Sequence, residues 1–179
     1  MQTYTSRTFD PVSPTTSMIS IVDIAHGLSM QARFSGQLIA FYSVAEHCVM
    51  VSCILESMGY PRLALAGLLH DGHEAYTSDI PSPVKAMLQP KINQVEKSID
   101  TAIFKKFDLE YPSSEDKVLI KFADQMAFYI EDRDLRNKVF PDFDYSQLPS
   151  NFQAIPVGLV QAKIQFLERF IELLDKAKE

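Results

Sequence analysis

FYSVAEHCVMVSCILESMGYPRLALAGLLHDGHE, residues 41–74, is the stretch that decides the fold. Ser43 and Glu46 stand at the S-x-x-E spacing of a capping box, which starts a helix, and Gly59 followed by Pro61 supplies its stop. His47 therefore falls in the first turn or two of that helix. Pro61 also suits the first turn of a second helix through Arg62–Leu69, which delivers His70 and Asp71 at its C-terminal end before Gly72 ends or bends it. An imidazole beside a carboxylate at the end of a leucine-rich helix is costly to bury unless each group is paired or coordinates a cation. A bound metal is the most economical partner.

Working outward, Met18, Ile21, Val22, Ala25 and Leu28 recur at helical spacing between Met18 and Gln31, and Gly36 breaks that pattern. TSDIPSPVKAM, residues 77–87, holds two prolines and cannot be one continuous helix, so Asp79 belongs to a turn or loop, with a short helix from Pro83. A long amphipathic helix covers Ile92 to Phe107. Another starts after Ser113–Ser114, runs to about Leu135 and carries Asp124. PDFDYSQLPSNFQAIP, residues 141–156, reads as a packed aromatic loop, and Leu159 to Lys176 closes the chain as a last helix. No strand pattern of comparable strength occurs, so the fold class is all-α.

The 179 residues suffice for one domain that buries close to about 70% of its unfolded surface. Residues 18–179 are assigned to that domain and residues 1–17, rich in Pro, Ser and Thr, to an extended N-terminal arm. A hydrophobic content of 46% without any apolar run near the length of a membrane span points to a protein with no membrane partner. The N-terminus lacks the charged start and apolar stretch of a secretory signal, which points to the cytoplasm. Cys48 and Cys53, five positions apart amid apolar neighbours, read as reduced core residues rather than a disulfide. A net charge of -6 and a pI near 5.2 argue against a nucleic-acid partner. Small phosphorylated metabolites stay open, since a local basic pocket or a metal binds them whatever the net charge.

His47, His70, Asp71 and Asp124 come from three separate helices. Two imidazoles with two carboxylates suit one divalent transition metal, Zn, Co or Mn, with Mg less natural beside histidine ligands.

H…HD…D, together with FYSVAEH, LLHDGHEAYTSDIPSPVK and LIKFADQMAFYIE, resembles the HD-domain phosphohydrolase superfamily, specifically its nucleotidase branch, over about Met18 to Glu131. The resemblance implies an HD-domain helical bundle with a metal site in its core, ligated by His47, His70, Asp71 and Asp124. Glu74 then corresponds to the acid that orients or deprotonates the attacking water, and Asp79 to a second acid that assists it or protonates the leaving oxygen. Arg33 corresponds to an arginine over the substrate phosphate, and Lys85 is a second phosphate candidate; for both, an ordinary surface ion pair stands open as well.

The implied partner is a small-molecule deoxynucleotide. The branch includes phage dATP triphosphohydrolases of this length, which gives hydrolysis of dATP or another dNTP to deoxynucleoside and triphosphate, in the host cytoplasm for a phage gene. It also includes bacterial 5′-deoxynucleotidases acting on monophosphates, the alternative. A homo-oligomer is implied too, a hexamer being one candidate order. His73 could bind a second metal, as in di-iron oxygenases of the superfamily, but those need further histidines and only His26 remains, on a helix where a packed role suits it. A non-catalytic HD binding module usually lacks a ligand or the acid, whereas all six polar positions are present. Ile19, Val22, Phe34 and Ile80 are candidates to meet the base and cannot be ranked from one sequence.

Overall fold

Helix α2, Val44–Ser57, starts where its capping box places it: Ser43 N donates to Glu46 Oε2 at 2.7 Å, and Glu46 N donates to Ser43 Oγ at 3.2 Å. It is the central element of the structure, a computed structural model that describes residues 1–136, 140 and 143–176. Pro141 and Asp142 of the expected aromatic connector, and residues 177–179 of the expected domain, lie outside the described residues.

Seven further helices surround α2 among the described residues: α1 (Ile21–Ser29), α3 (Ala64–Leu68), α4 (Glu74–Thr77), α5 (Ser82–Leu88), α6 (Lys91–Lys106), α7 (Ser114–Leu135) and α8 (Leu159–Lys176). Pairing of the extended type is confined to two isolated bridges, Gln2 with Thr8 and Ala32 with Ser43, so the described residues form the expected all-α helical bundle. No described helix is long and apolar enough to cross a membrane.

Helix α2 packs against α1, α3, α7 and α8, and its side chains divide between two apolar clusters. Val44, Ala45 and Cys48 join Ile24 and Leu28 of α1, Leu68 of α3, Ile99 and Ile103 of α6 and Phe166 of α8. Val51, Ile54 and Leu55 join Ile120, Ala123, Ala127 and Ile130 of α7. Complete burial of side chains of this size is worth about 1.5–3 kcal/mol each, which makes α2 a fixed reference for whatever it carries. His47 sits where the two clusters meet.

Local boundaries differ from the sequence expectation in two places, and one expected base contact is excluded by burial. The first helix begins at Ile21, after a 3-10 turn at Thr16–Met18, and ends at Ser29. The expected helix through Arg62–Leu69 is a 3-10 turn, Pro61–Leu63, running into the short α3, so His70 and Asp71 lie in the turn just beyond it. Ile19 is wholly buried and cannot meet a base.

The N-terminal arm folds back onto α1 and α4. Thr3 and Thr5 hydroxyls donate to Asp23 at 2.9 and 2.8 Å, Tyr4 stacks on His26 at 3.8 Å, and Phe9, 1% exposed, stacks on Tyr76 at 3.9 Å. Gly27 brings α1 and α4 together, because a Cβ there would lie 2.9 Å from the Ala75 carbonyl oxygen. One residue beyond α1's C-cap, Gln31 spans the next segment: its Nε2 donates to Glu74 O at 2.7 Å and its Oε1 accepts from Asp79 N at 2.8 Å.

Candidate metal centre

Three elements converge at one end of α2. Helix α2 brings His47, the turn after α3 brings His70 and Asp71, and the middle of α7 brings Asp124. One ligand atom from each of His47, His70 and Asp71 lies within 4.8 Å of the others. Asp124 Oδ1 approaches His47 Nε2 at 3.1 Å and His70 Nε2 at 3.9 Å; Asp71 Oδ2 approaches His70 Nε2 at 3.2 Å and His47 Nε2 at 3.8 Å.

Both rings are fixed from behind. His70 Nδ1 lies 2.7 Å from the Gly67 carbonyl, which can only accept, so Nδ1 donates there and Nε2 is the nitrogen turned to the cluster. His47 Nδ1 makes a 2.6 Å bond to Glu131 Oε1, the carboxylate backing that orients a ligating imidazole. Both Nε2 atoms are buried and have no hydrogen-bond partner, because the nearby carboxylates lack hydrogen-bond geometry. Two orphaned nitrogens facing two carboxylates are costly in a dry interior and are satisfied together by a dication.

Glu74 and Asp79 lie beside this cluster. Burial, then Asp71 and Asp79, push the Glu74 carboxyl up to about 10, and its Oε2 has no partner. Asp79 is also raised, by burial first, while Arg33 opposes the shift. Such crowding of Asp71, Glu74 and Asp79 fits a site built around a cation, whose charge reverses this pKa logic. The donor set therefore fits a transition-metal dication.

Arg33 is half-buried, with Nη2 on Glu131 Oε2 at 3.1 Å and Nη1 3.9 Å from Asp79 Oδ2. It belongs to the site's interior network rather than to a surface ion pair. Lys85 stands beside the cluster and binds Glu96 Oε1 at 2.9 Å. His73 Nδ1 donates to Asp100 Oδ1 at 2.9 Å. Cys48 is a buried free thiol pushed up to about 11 by burial, and Cys53 is a half-buried one.

Glu131 is the residue that sequence reasoning missed. Wholly buried, it joins the His47 ring to the Arg33 guanidinium. A signal was available, since Glu131 follows Asp124 by seven positions and so shares its helix face.

The two histidines give a measurable linkage. Burial opposes charge on His47 and His70, yet Glu131 and Asp124 for the first, and Asp71 for the second, raise both above the usual 6.5 in the metal-free protein. Coordination needs neutral rings, so a metal bound at pH 7 would expel protons, and its binding would tighten as pH rises. Calorimetric titration with Mn(II) or Co(II) in buffers of different ionisation heat should show that release. Buffer-independent heats would contradict it.

Fold and site together define an all-helical protein with a two-histidine, two-aspartate cluster able to hold a metal. The chain is 36% identical over 163 residues to the uncharacterized protein YfdR of Escherichia coli, covering 89% of this chain and 87% of that one, and it belongs to the same family. An uncharacterized protein of Rhodobacter capsulatus is 34% identical over 131 residues, 70% of this chain and 67% of its own length. A 5′-deoxynucleotidase of Yersinia pestis is 26% identical over 117 residues, 50% of this chain and 59% of the enzyme. No protein-family model matches the chain.

Proposed function

We propose that the protein is a metal-dependent phosphohydrolase of deoxynucleotides in the HD-domain superfamily. The observation that carries this reading is the pair of orphaned Nε2 atoms converging with Asp71 and Asp124 beside the crowded carboxylates of Glu74 and Asp79. Similarity to proteins named 5′-deoxynucleotidase supports the substrate class.

His47, His70, Asp71 and Asp124 would hold the ion. When bound, it supplies Lewis acidity, lowering the pKa of water and neutralising charge on the phosphoryl oxygens. Glu74 orients the attacking water and accepts its proton as the water oxygen bonds to phosphorus and the bond from phosphorus to the 5′-oxygen breaks. Asp79, held beside Arg33 at the edge of the cluster, protonates the departing 5′-oxygen, while the charge of the ion would bring Glu74 down into the range of a base. Arg33, anchored on Glu131 through Nε and Nη2, would meet the phosphate through Nη1, which lies 3.9 Å from Asp79. Lys85 adds positive charge on the Glu96 side.

Attack at the α-phosphate of dATP or another dNTP, releasing deoxynucleoside and triphosphate, is the preferred form. Hydrolysis of monophosphates is the second reading, favoured by the names of the Yersinia relatives. Incubation of the metal-loaded protein with dATP should yield deoxyadenosine and triphosphate. Orthophosphate or diphosphate as the only phosphate product would refute triphosphate release, and turnover of dAMP alone would establish the second reading. The setting proposed is a cytoplasmic homo-oligomer acting on free nucleotides, without a nucleic-acid or membrane partner.

A further inference from the structure

Helix α7 presents Lys117, Lys121, Asp124 and Phe128 at positions i, i+4, i+7 and i+11, one continuous face. Asp124 belongs to the candidate metal centre. On its C-terminal side Phe128 packs against Phe34 at 5.1 Å, next to Arg33. On its N-terminal side a cavity of about 260 Å³ is lined by His70, Asp71 and Asp124 of the candidate centre, by the Asp100 carboxylate, and by Tyr111, Lys117 and Lys121. Arg33, Glu74 and Asp79 do not line it.

The two ammonium groups are held over this cavity. Lys121 Nζ lies 2.7 Å from Asp124 Oδ2. Lys117 Nζ sits 4.5 Å from the centre of the Tyr111 ring, and that ring is braced edge-on by Phe104 at 5.2 Å. At 1.5 Å of rise per residue, the lysines stand roughly 4.5 and 10.5 Å along the helix from Asp124. A second row of positive charge, leading away from the reacting centre and away from the aromatic side, has no use for a substrate that ends at the attacked phosphate.

We propose that the α6–α7 cleft receives the phosphates of the substrate beyond the one attacked, with Lys121 and then Lys117 as their partners, which places the nucleoside on the Phe34–Phe128 side. This deepens the phosphohydrolase reading and rests on it. The chemistry fits a point-charge phosphate contact, which lysine makes without a fixed geometry.

Two measurements test it, one independent of turnover. Metal-loaded wild-type protein should bind inorganic tripolyphosphate in a calorimeter, and Lys117→Ala should weaken that binding roughly tenfold, a charge-assisted hydrogen bond's worth, with Lys117→Glu weakening it further. In turnover, Lys117→Ala should lower kcat/KM for dATP by a similar factor and leave dAMP within about twofold. Lys117 is exposed, so folding is not at stake. Equal losses on both substrates, or tripolyphosphate binding unchanged in both variants, would overturn the cleft assignment while leaving the hydrolase reading intact. A protein that hydrolyses neither nucleotide but loses tripolyphosphate affinity on substitution would keep the cleft and sink the hydrolase.

Discussion

Asp71→Ala will abolish stoichiometric metal binding and lower nucleotide hydrolysis by at least about 10³-fold. Asp71 Oδ2 is the carboxylate oxygen nearest His70 Nε2, at 3.2 Å, and lies within reach of His47 as well. Removing it leaves two buried Nε2 atoms facing a single carboxylate, Asp124. A metal supplies several kcal/mol of transition-state stabilisation, and each 1.36 kcal/mol is tenfold in rate. Metal content by elemental analysis and rate should therefore fall together. Asp71→Asn retains the volume and guards against a folding artefact; either variant with full metal content and unchanged hydrolysis would remove this site from the mechanism.

Glu131→Ala should be the most destabilising single change in the site, by about 3–5 kcal/mol, because it leaves the Arg33 guanidinium only the more distant Asp79 and unbacks a buried imidazole. For a chain of this length that is a melting temperature lower by roughly 10 °C, read by calorimetry on metal-free protein. Glu131→Gln keeps the shape but loses the charge, and should fall between the two. A shift below about 1 kcal/mol for the alanine variant would mean that Arg33 finds another partner. The pH dependence has a definite sign. Burial opposes ionisation of Glu131, but Arg33 and then His47 hold its carboxyl below the usual range. Its stabilisation is full above the unfolded pKa of a glutamate and is lost as pH falls through the lowered folded value.

Much of the fold was written in local signals. The Ser43–Glu46 box, the Gly59–Pro61 stop and the 3.6-residue periodicity of α7 and α8 each report on a few neighbouring residues, so one sequence suffices to read them. The convergence of His47, His70, Asp71 and Asp124 was legible for a related reason: polar residues interrupting apolar helices are conspicuous. The arm was less so, since the burial of Phe9 against Tyr76 depends on a contact between residues 67 positions apart in the chain, which composition does not encode. Glu131 was hidden by its surroundings. In IEDRD it stands among other charges near a helix end, and only the opposing positions of Arg33 and His47 make it an interior residue. Lys117 and Lys121 look like any solvated lysines until the cavity beside them is seen.

Gln31 fastens both ends of the segment from Glu74 to Asp79, Gly27 lets that segment rest backbone to backbone on α1, and Phe9 presses on it through Tyr76. The side of the site that carries Glu74 and Asp79 is thus the fixed jaw of a vice. Positional accuracy is supplied by the first third of the chain, and under the proposed reading adaptation to substrates of different length would fall to the opposite jaw, the cavity lined by α6 and α7.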